Sequence, residues 1–304
     1  MIRVRFLGTA AARPTVSRNV SGIAVQREGE SILWDCGEGS QRQIMRYGTG
    51  FSFDHIFISH AHADHFLGLP GLLRTLGLQG RDRALYIHTH PSAEATVKRA
   101  VHLGGRAFPF PVEIAGLAPG DQVRFSEWAV HAFAVDHGIP ALGFALIEAP
   151  RLGRFDVDKA RALGIPEGPL FGRLHQGHSV EVDGRTITAA ELVGEARPGR
   201  TVVYSGDCRP GTGTVEIARG CDLLIHEATF LGEELERARE TRHSTVTEAS
   251  EIGARAGAAR MALTHISARY SEMPKVLEAE ARVVFPGAQI AYDGLEIEIP
   301  YNDE

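Results

Sequence analysis

Three histidines and an aspartate fall within six positions, His60-Ala61-His62-Ala63-Asp64-His65, directly after the apolar run Ile56-Phe57-Ile58. Imidazole nitrogens and a carboxylate together suit zinc or a similar transition metal. In extended backbone alternate residues share a face, so His60 and His62 can grip one ion. Asp64 and His65, where the chain turns into a helix, can face an adjacent one. The intervening alanines leave room for the chain to wrap closely. Unpaired histidines gain little by crowding at a strand end, which sets the string apart from a chance surface cluster.

Two ions need more donors, and three stand just beyond apolar runs. His137 follows Ala129–Val135, Asp207 follows Val202–Ser205, and His265 follows Met261–Thr264. Each lies beside small or turn-forming residues, as side chains gathered from strand ends onto one rim would. Counting assigns His60, His62 and His137 to one ion and Asp64, His65 and His265 to the other. Asp207 would bridge them, because a carboxylate can span ions about 3.5–4 Å apart. Such a centre acidifies a water and braces charge on a phosphoryl oxygen. Asp64, both ligand and anion, is the natural group to orient that nucleophile or accept its proton.

A metal site need not supply the proton for a leaving group. His243, just before a predicted helix, and Glu227, after the strand Leu223–His226, are the candidates. A histidine oriented by a glutamate can donate to a departing alkoxide. The alternative is a helix start at Ser244 or Thr245 with His243 an exposed neighbour. The other histidines (His55, His88, His90, His102, His131, His175, His178 and His226) read as structural or solvent-facing, with His226 a candidate to shape the rim.

The elements that must hold these groups are short strands broken by Gly-rich turns. Ile2–Phe6, Ile23–Arg27, Ser31–Asp35, Ile56–Ser59, Leu85–His88 and Trp128–Val135 read as strands. Ser40 is a candidate cap for a helix over Gln41–Tyr47 that Gly48 ends. A helix beginning near His65 carries Leu67, Leu69, Leu72, Leu73 and Leu76, and Pro91 fits a helical first turn. Thr201–Ser205, Asp222–His226 and Met261–Thr264 read as buried strands, Val246–Gly257 as a helix, and Gln289–Ile299 as a terminal strand region.

Between the halves, Pro150–His178 changes texture. Arg151, Arg154, Lys159, Arg161 and Arg173 stand against Asp156, Asp158 and Glu167, with few apolar residues to anchor a core. A projecting arm and a long surface loop with one helical turn fit equally well. Strands and helices on both sides suggest a layered α/β sandwich, which pattern alone does not separate from a doubly wound sheet. Gly8-Thr9-Ala10-Ala11-Ala12 lacks the glycine spacing of a dinucleotide fingerprint.

Composition narrows the class. The 304 residues are 43% hydrophobic, enough for a buried core, and 34 glycines with 15 prolines fit many short connections. No apolar run approaches the length of a membrane span, and the amino terminus does not resemble a signal peptide. Three cysteines without a CxxC pair argue against disulfides or a zinc finger and point to a reducing cytoplasm. A net charge of −6 counts mildly against a nucleic-acid partner, although a local basic surface can coexist with it.

The string His60–His65 with His137, Asp207 and His265 resembles the dinuclear HxHxDH members of the metallo-β-lactamase superfamily. That resemblance implies an α/β fold, the four-layer αβ/βα sandwich. From Val4 to Ile299 the chain is similar to the short-form ribonuclease Z family. Phe6-Leu7-Gly8-Thr9, Pro14–Asn19, Leu33–Gly39, His226–Phe230, His243-Ser244-Thr245, Ser267–Tyr270 and Ala291–Gly294 carry the likeness. Gly153–Ala160, Leu163–Pro166 and Gly168–Gly172 resemble the family's exosite arm, which lactamases, glyoxalases and lactonases lack.

The resemblance implies a catalytic domain over 1–304 with an inserted exosite arm over 148–178 that grips the elbow of transfer RNA. It implies hydrolysis of precursor transfer RNA after the unpaired base following the acceptor stem, leaving a 3′-hydroxyl and a 5′-phosphate. Asp64, Glu227 and His243 would be catalytic. Two Zn²⁺ per subunit, with Mn²⁺ or Mg²⁺ as substitutes, and a homodimer complete the expectation. The arm's five cations against three anions are a modest excess for a backbone clamp. A phosphodiesterase or arylsulfatase-like hydrolase of small substrates would keep the same ligands without needing the arm.

Overall fold

The computed structural model describes residues 1–103 and 107–301. In chain order the strands are β1 (Ile2–Gly8), β2 (Gly22–Arg27), β3 (Glu30–Trp34), β4 (His55–Ile58), β5 (Leu85–Thr89), β6 (Val112–Gly116), β7 (Gln122–Arg124) and β8 (Trp128–Val135). There follow β9 (Ala141–Glu148), β10 (Val180–Val182), β11 (Arg185–Ile187), β12 (Thr201–Tyr204), β13 (Leu223–Glu227), β14 (Met261–Thr264), β15 (Ala288–Ile290) and β16 (Glu296–Ile299). Among the described residues one seven-stranded sheet runs β16-β1-β2-β3-β4-β5-β6 and a second runs β15-β14-β13-β12-β9-β8-β7.

Both sheets are mixed. β3 to β6 pair in parallel, and so do β12 to β15, whereas β1 pairs antiparallel with both β2 and β16. The alternation in Ile2–Phe6 is realised directly. Ile2, Val4 and Phe6 are fully buried, while Arg3 and Arg5 pair across the strands with Glu298 and Glu296. The apolar runs of β3 and β4 bury both faces, as expected of interior strands. Leu33, Ile56 and Ile58 pack under the helices of their own sheet. Trp34 instead stacks on Tyr204 of the second sheet at 5.8 Å, and Phe57 meets Phe144 edge-on at 5.5 Å.

Helices cover the outer faces, giving the αβ/βα sandwich. Helix Leu69–Leu78 buries Leu69, Leu72, Leu73 and Leu76, spaced as one helical stripe. Each such leucine contributes about 1.5–3 kcal/mol. Helix Val246–Ala256 starts at a capping box between Thr245 and Glu248 and stops at Gly257, whose φ is 63°.

Two expected boundaries shift. Ser40 is the first helical residue, its hydroxyl bonded to the Gly37 carbonyl; Gly39, at φ 81°, precedes the helix. The helix expected near His65 is two helices, Ala63–Phe66 and Leu69–Leu78. Here the loop after β3 presses against the histidine-rich turn. A Cβ on Gly37 would lie 2.1 Å from the Asp64 carbonyl oxygen, and one on Gly68 2.1 Å from the Gly37 carbonyl oxygen. Only glycine permits that approach.

Ser126–Trp128 and Glu148–Arg200 form a compact unit of their own, longer than the expected 148–178. It holds helices Val157–Ala162 and Pro169–His175 and the β10–β11 hairpin. The expected shortage of apolar anchors is corrected. Ala160, Ile165, Leu174, Val180, Ile187 and Leu192 make a small buried core. Three of those six come from the hairpin and the turn after it, whose three-residue strands are too short to show periodicity in sequence. At the base Arg151 and Arg197 exchange backbone hydrogen bonds of 2.8 and 2.9 Å, and Arg200 forks onto Glu148 at 2.7 and 2.8 Å.

Candidate metal centre

β4 runs between β3 and β5 and delivers Ser59-His60 from its end. His62 keeps extended backbone, φ −80° and ψ 146°, and the short helix Ala63–Phe66 then turns Asp64 and His65 inward. The other three donors arrive as strand-end groups: His137 after β8, Asp207 after β12 and His265 after β14.

The structure brings all seven together. His60 Nε2 lies 2.9 Å from His62 Nδ1, which lies 3.1 Å from His137 Nε2. Asp64 Oδ2 lies 3.4 Å from both His65 Nε2 and His265 Nε2. Between the groups, Asp207 Oδ2 stands 3.2 Å from His65 Nε2, 3.2 Å from His265 Nε2 and 3.7 Å from His60 Nε2. His60, His62 and His137 form one three-donor cluster and Asp64, His65 and His265 another, and Asp207 joins His60 and His65 in a third.

The donor set suits divalent cations. His65 Nε2 and Asp207 Oδ1 are buried and make no hydrogen bond among the described residues. Buried polar atoms left unpaired are costly, and a cation at this point would satisfy both. Burial and neighbouring histidines hold His60 well below the ordinary imidazole range. His62 and His137 are lowered too, burial again leading. They are therefore neutral at pH 7, the state that metal binding requires. Burial works to raise Asp64, but His65 and His265 keep its carboxyl far below the usual range.

A second ring of contacts orients these imidazoles, and composition alone did not reveal it. His65 Nδ1 is 2.7 Å from Asp35 Oδ2, His60 Nδ1 is 3.0 Å from Ser59 Oγ, and His265 Nδ1 is 3.0 Å from Thr229 Oγ1. His137 Nδ1 donates to the Arg242 carbonyl at 2.9 Å. Asp35, buried and at φ 57°, also accepts from the Ser59 amide at 2.8 Å and the Tyr204 hydroxyl at 2.7 Å. A carboxylate ending an otherwise apolar strand was the available signal. Asp64 is steadied by the Ala12 amide, which donates to Oδ2 at 2.9 Å.

His243 Nδ1 lies 2.8 Å from Glu227 Oε1, and the His243 ring is 5.1 Å from that of His137 and 5.2 Å from that of His265. Glu227 is fully buried and accepts from the Cys208 amide at 3.1 Å and the Thr229 hydroxyl at 2.8 Å. Burial alone would lower the His243 pKa, but Glu227, by charge and hydrogen bond, and Asp207 raise it to about 9. The helix cap falls to Thr245, so His243 is free of that duty. Among the described residues no other histidine joins a three-donor group. His226 is buried against the Glu227 carbonyl at 2.7 Å and Cys208 Sγ at 3.8 Å.

A family model described as Metallo-beta-lactamase superfamily matches residues 17–246, and the chain belongs to that superfamily, whose members bind divalent metal ions. A Ribonuclease Z from Gemmatimonas aurantiaca is 53% identical over 99% of this chain and 97% of its own. One from Myxococcus xanthus is 50% identical over 100% and 99%. The crystal structure of human tRNase Z, short form, is 28% identical, with a TM-score of 0.70 over 98% of this chain and 100% of that one. Within the superfamily the chain belongs to the ribonuclease Z family and is an endoribonuclease of transfer RNA 3′ processing.

Proposed function

We propose that this chain cuts precursor transfer RNA with a two-zinc centre held by His60, His62, Asp64, His65, His137, Asp207 and His265. Asp207, within 3.7 Å of His60 and 3.2 Å of His65 and His265, would be a ligand to both. The observation that carries the reading is the convergence of these seven side chains beside the His243–Glu227 pair. Bound divalent cations supply a nucleophile at neutral pH and neutralise charge on the phosphoryl oxygens.

The protein's groups divide the remaining work. Asp64, fixed by the Ala12 amide, orients the attacking water and takes up its proton. Glu227 holds the His243 ring through Nδ1, leaving Nε2 to donate to the departing 3′ oxygen. The products are then a 3′-hydroxyl on the transfer RNA and a 5′-phosphate on the trailer.

The unit Glu148–Arg200 is the proposed exosite for the transfer RNA elbow. Arg154, Lys159 and Arg173 are exposed there without an ion pair among the described residues, whereas Arg161 is occupied by Asp158 and Glu167. Three available cations can supply phosphate contacts despite the acidic total. The protein acts as a homodimer in this reading. The cytoplasm is the proposed compartment, supported by three buried, unpaired cysteines. No helix among the described residues is long and apolar enough to cross a membrane.

The test incubates purified protein with a 3′-extended transfer RNA precursor, with and without chelator, and maps the new end. Chelator-sensitive cleavage after the base following the acceptor stem is expected. An intact precursor with metal present would overturn the proposal.

A further inference from the structure

A cleft of about 340 Å³ opens beside His243, lined by Arg13, Phe230, Arg237 and Arg269 among others. Its charges are unequal. Arg269 is bound by Glu234, whereas Arg13 and Arg237 are exposed and form no ion pair among the described residues. Phe230 is itself almost wholly buried. Its ring lies edge-on to His243 at 6.3 Å, and the Arg237 guanidinium sits over it at 5.7 Å. His243, Phe230 and Arg237 thus form a continuous row, from the candidate proton donor to an exposed guanidinium plane.

Reaction chemistry decides which side of the scissile bond this row faces. In the proposed hydrolysis a bond forms from water oxygen to phosphorus and the bond from phosphorus to O3′ breaks. The proton on His243 passes to O3′, and the water's proton leaves through Asp64 to solvent. The donor must therefore adjoin the ribose that keeps its 3′ oxygen, so the surface continuing from it faces the upstream nucleotide, not the trailer.

We propose that this cleft is the subsite for the last retained nucleotide, with Arg237 stacking on its base and Arg13 contacting phosphate. The inference rests on the general-acid reading of His243. A guanidinium backed by an aromatic ring is a platform that any base can use. The lining contains no carboxylate or amide side chain to read base edges. The hydroxyls of Thr229 and Thr241 are already engaged, with Glu227 and with the Arg237 carbonyl, and the one remaining lining hydroxyl, Ser267, is both donor and acceptor and so does not tell four bases apart. The nucleotide is held rather than read.

The test compares two RNA hairpins ending in a 3′-hydroxyl, one with a single unpaired 3′ nucleotide and one blunt, by their Kd for the metal-loaded protein. Wild type should bind the overhanging hairpin about tenfold more tightly, and Arg13→Ala/Arg237→Ala should lose that difference. The double variant should still hydrolyse bis(p-nitrophenyl) phosphate at the wild-type rate, which reports an intact fold and centre. Equal preference in variant and wild type, or a tenfold preference of wild type for one overhanging base over the other three, overturns the subsite. Failure of wild type to cut a full precursor sinks the underlying reading instead, a distinguishable result.

Discussion

Asp35 Oδ2 lies 2.7 Å from His65 Nδ1, and the same oxygen accepts the Tyr204 hydroxyl at 2.7 Å. One carboxylate therefore ties the imidazole of His65, a candidate ligand after the first sheet's β4, to a strand of the second. Orienting partners of this kind set which ring nitrogen is available to a cation. Asp35→Ala should weaken metal affinity about 10–100-fold, read by competition with a chromophoric chelator. Tyr204→Phe, which leaves the Asp35–His65 contact in place, should cost less. Unchanged affinity in Asp35→Ala would remove the orienting role.

Asp64→Ala removes a carboxylate that meets both His65 and His265 at 3.4 Å. Cleavage of precursor transfer RNA should be abolished, with bound metal per chain reduced. Full activity would contradict the mechanism.

If His243 is the proton donor, its loss should depend on the leaving group. His243→Ala should lower kcat on precursor transfer RNA about 10²–10⁴-fold, with metal content unchanged. On a p-nitrophenyl phosphodiester, whose leaving group needs no proton, the loss should largely vanish. Glu227→Gln should follow the same pattern more weakly. Equal losses on both substrates would argue for a structural role.

Removal of the inserted unit should separate recognition from chemistry. Cutting Gly153–Gly172 alone would take Ala160 and Ile165 from the small core and expose its remainder. The Arg151–Arg197 backbone pair is a better place to close the chain with a short glycine–serine linker. Processing of precursor transfer RNA should then fall about 10²-fold or more, as expected on losing one of two binding sites. Hydrolysis of the small diester should persist. Unimpaired processing would exclude the exosite.

Acid should loosen the first sheet through His55 and His88, stacked 5.2 Å apart between aromatic rings. Burial, then His55, lowers the His88 pKa from 6.5 to about 4, and burial also lowers that of His55. The unfolded chain takes up these protons first. Stability is thus complete above pH 6.5 and declines as pH falls toward 4, by about 3 kcal/mol for His88. Urea midpoints at pH 7 and pH 4.5 should diverge less in His88→Phe than in wild type. Equal divergence would clear His88.

The seven candidate donors were legible in sequence because four of them were read from the runs ahead of His60, His137, Asp207 and His265, and the other three complete the six-residue string. The strands were legible for a related reason: interior runs such as Ile56-Phe57-Ile58 are apolar on both faces. What stayed hidden depends on contacts between distant segments. Asp35 looks like any strand-end carboxylate until Tyr204 and His65 are brought to it. The break at Gly68 combines a local breaker, Pro70 in the first turn of Leu69–Leu78, with the close approach of the loop at Gly37. The inserted unit was underestimated because strands of three residues leave no readable period.

The donor set is divided along the chain as well as between the sheets, and this bears on how the enzyme comes into being. His60, His62, Asp64, His65 and His137 leave the ribosome well before Asp207 and His265. Domains take shape progressively as a chain is made. Until the strands preceding Asp207 and His265 are threaded in, a nascent chain lacks two of the seven candidate donors. The candidate centre is therefore completed only once both sheets have been made.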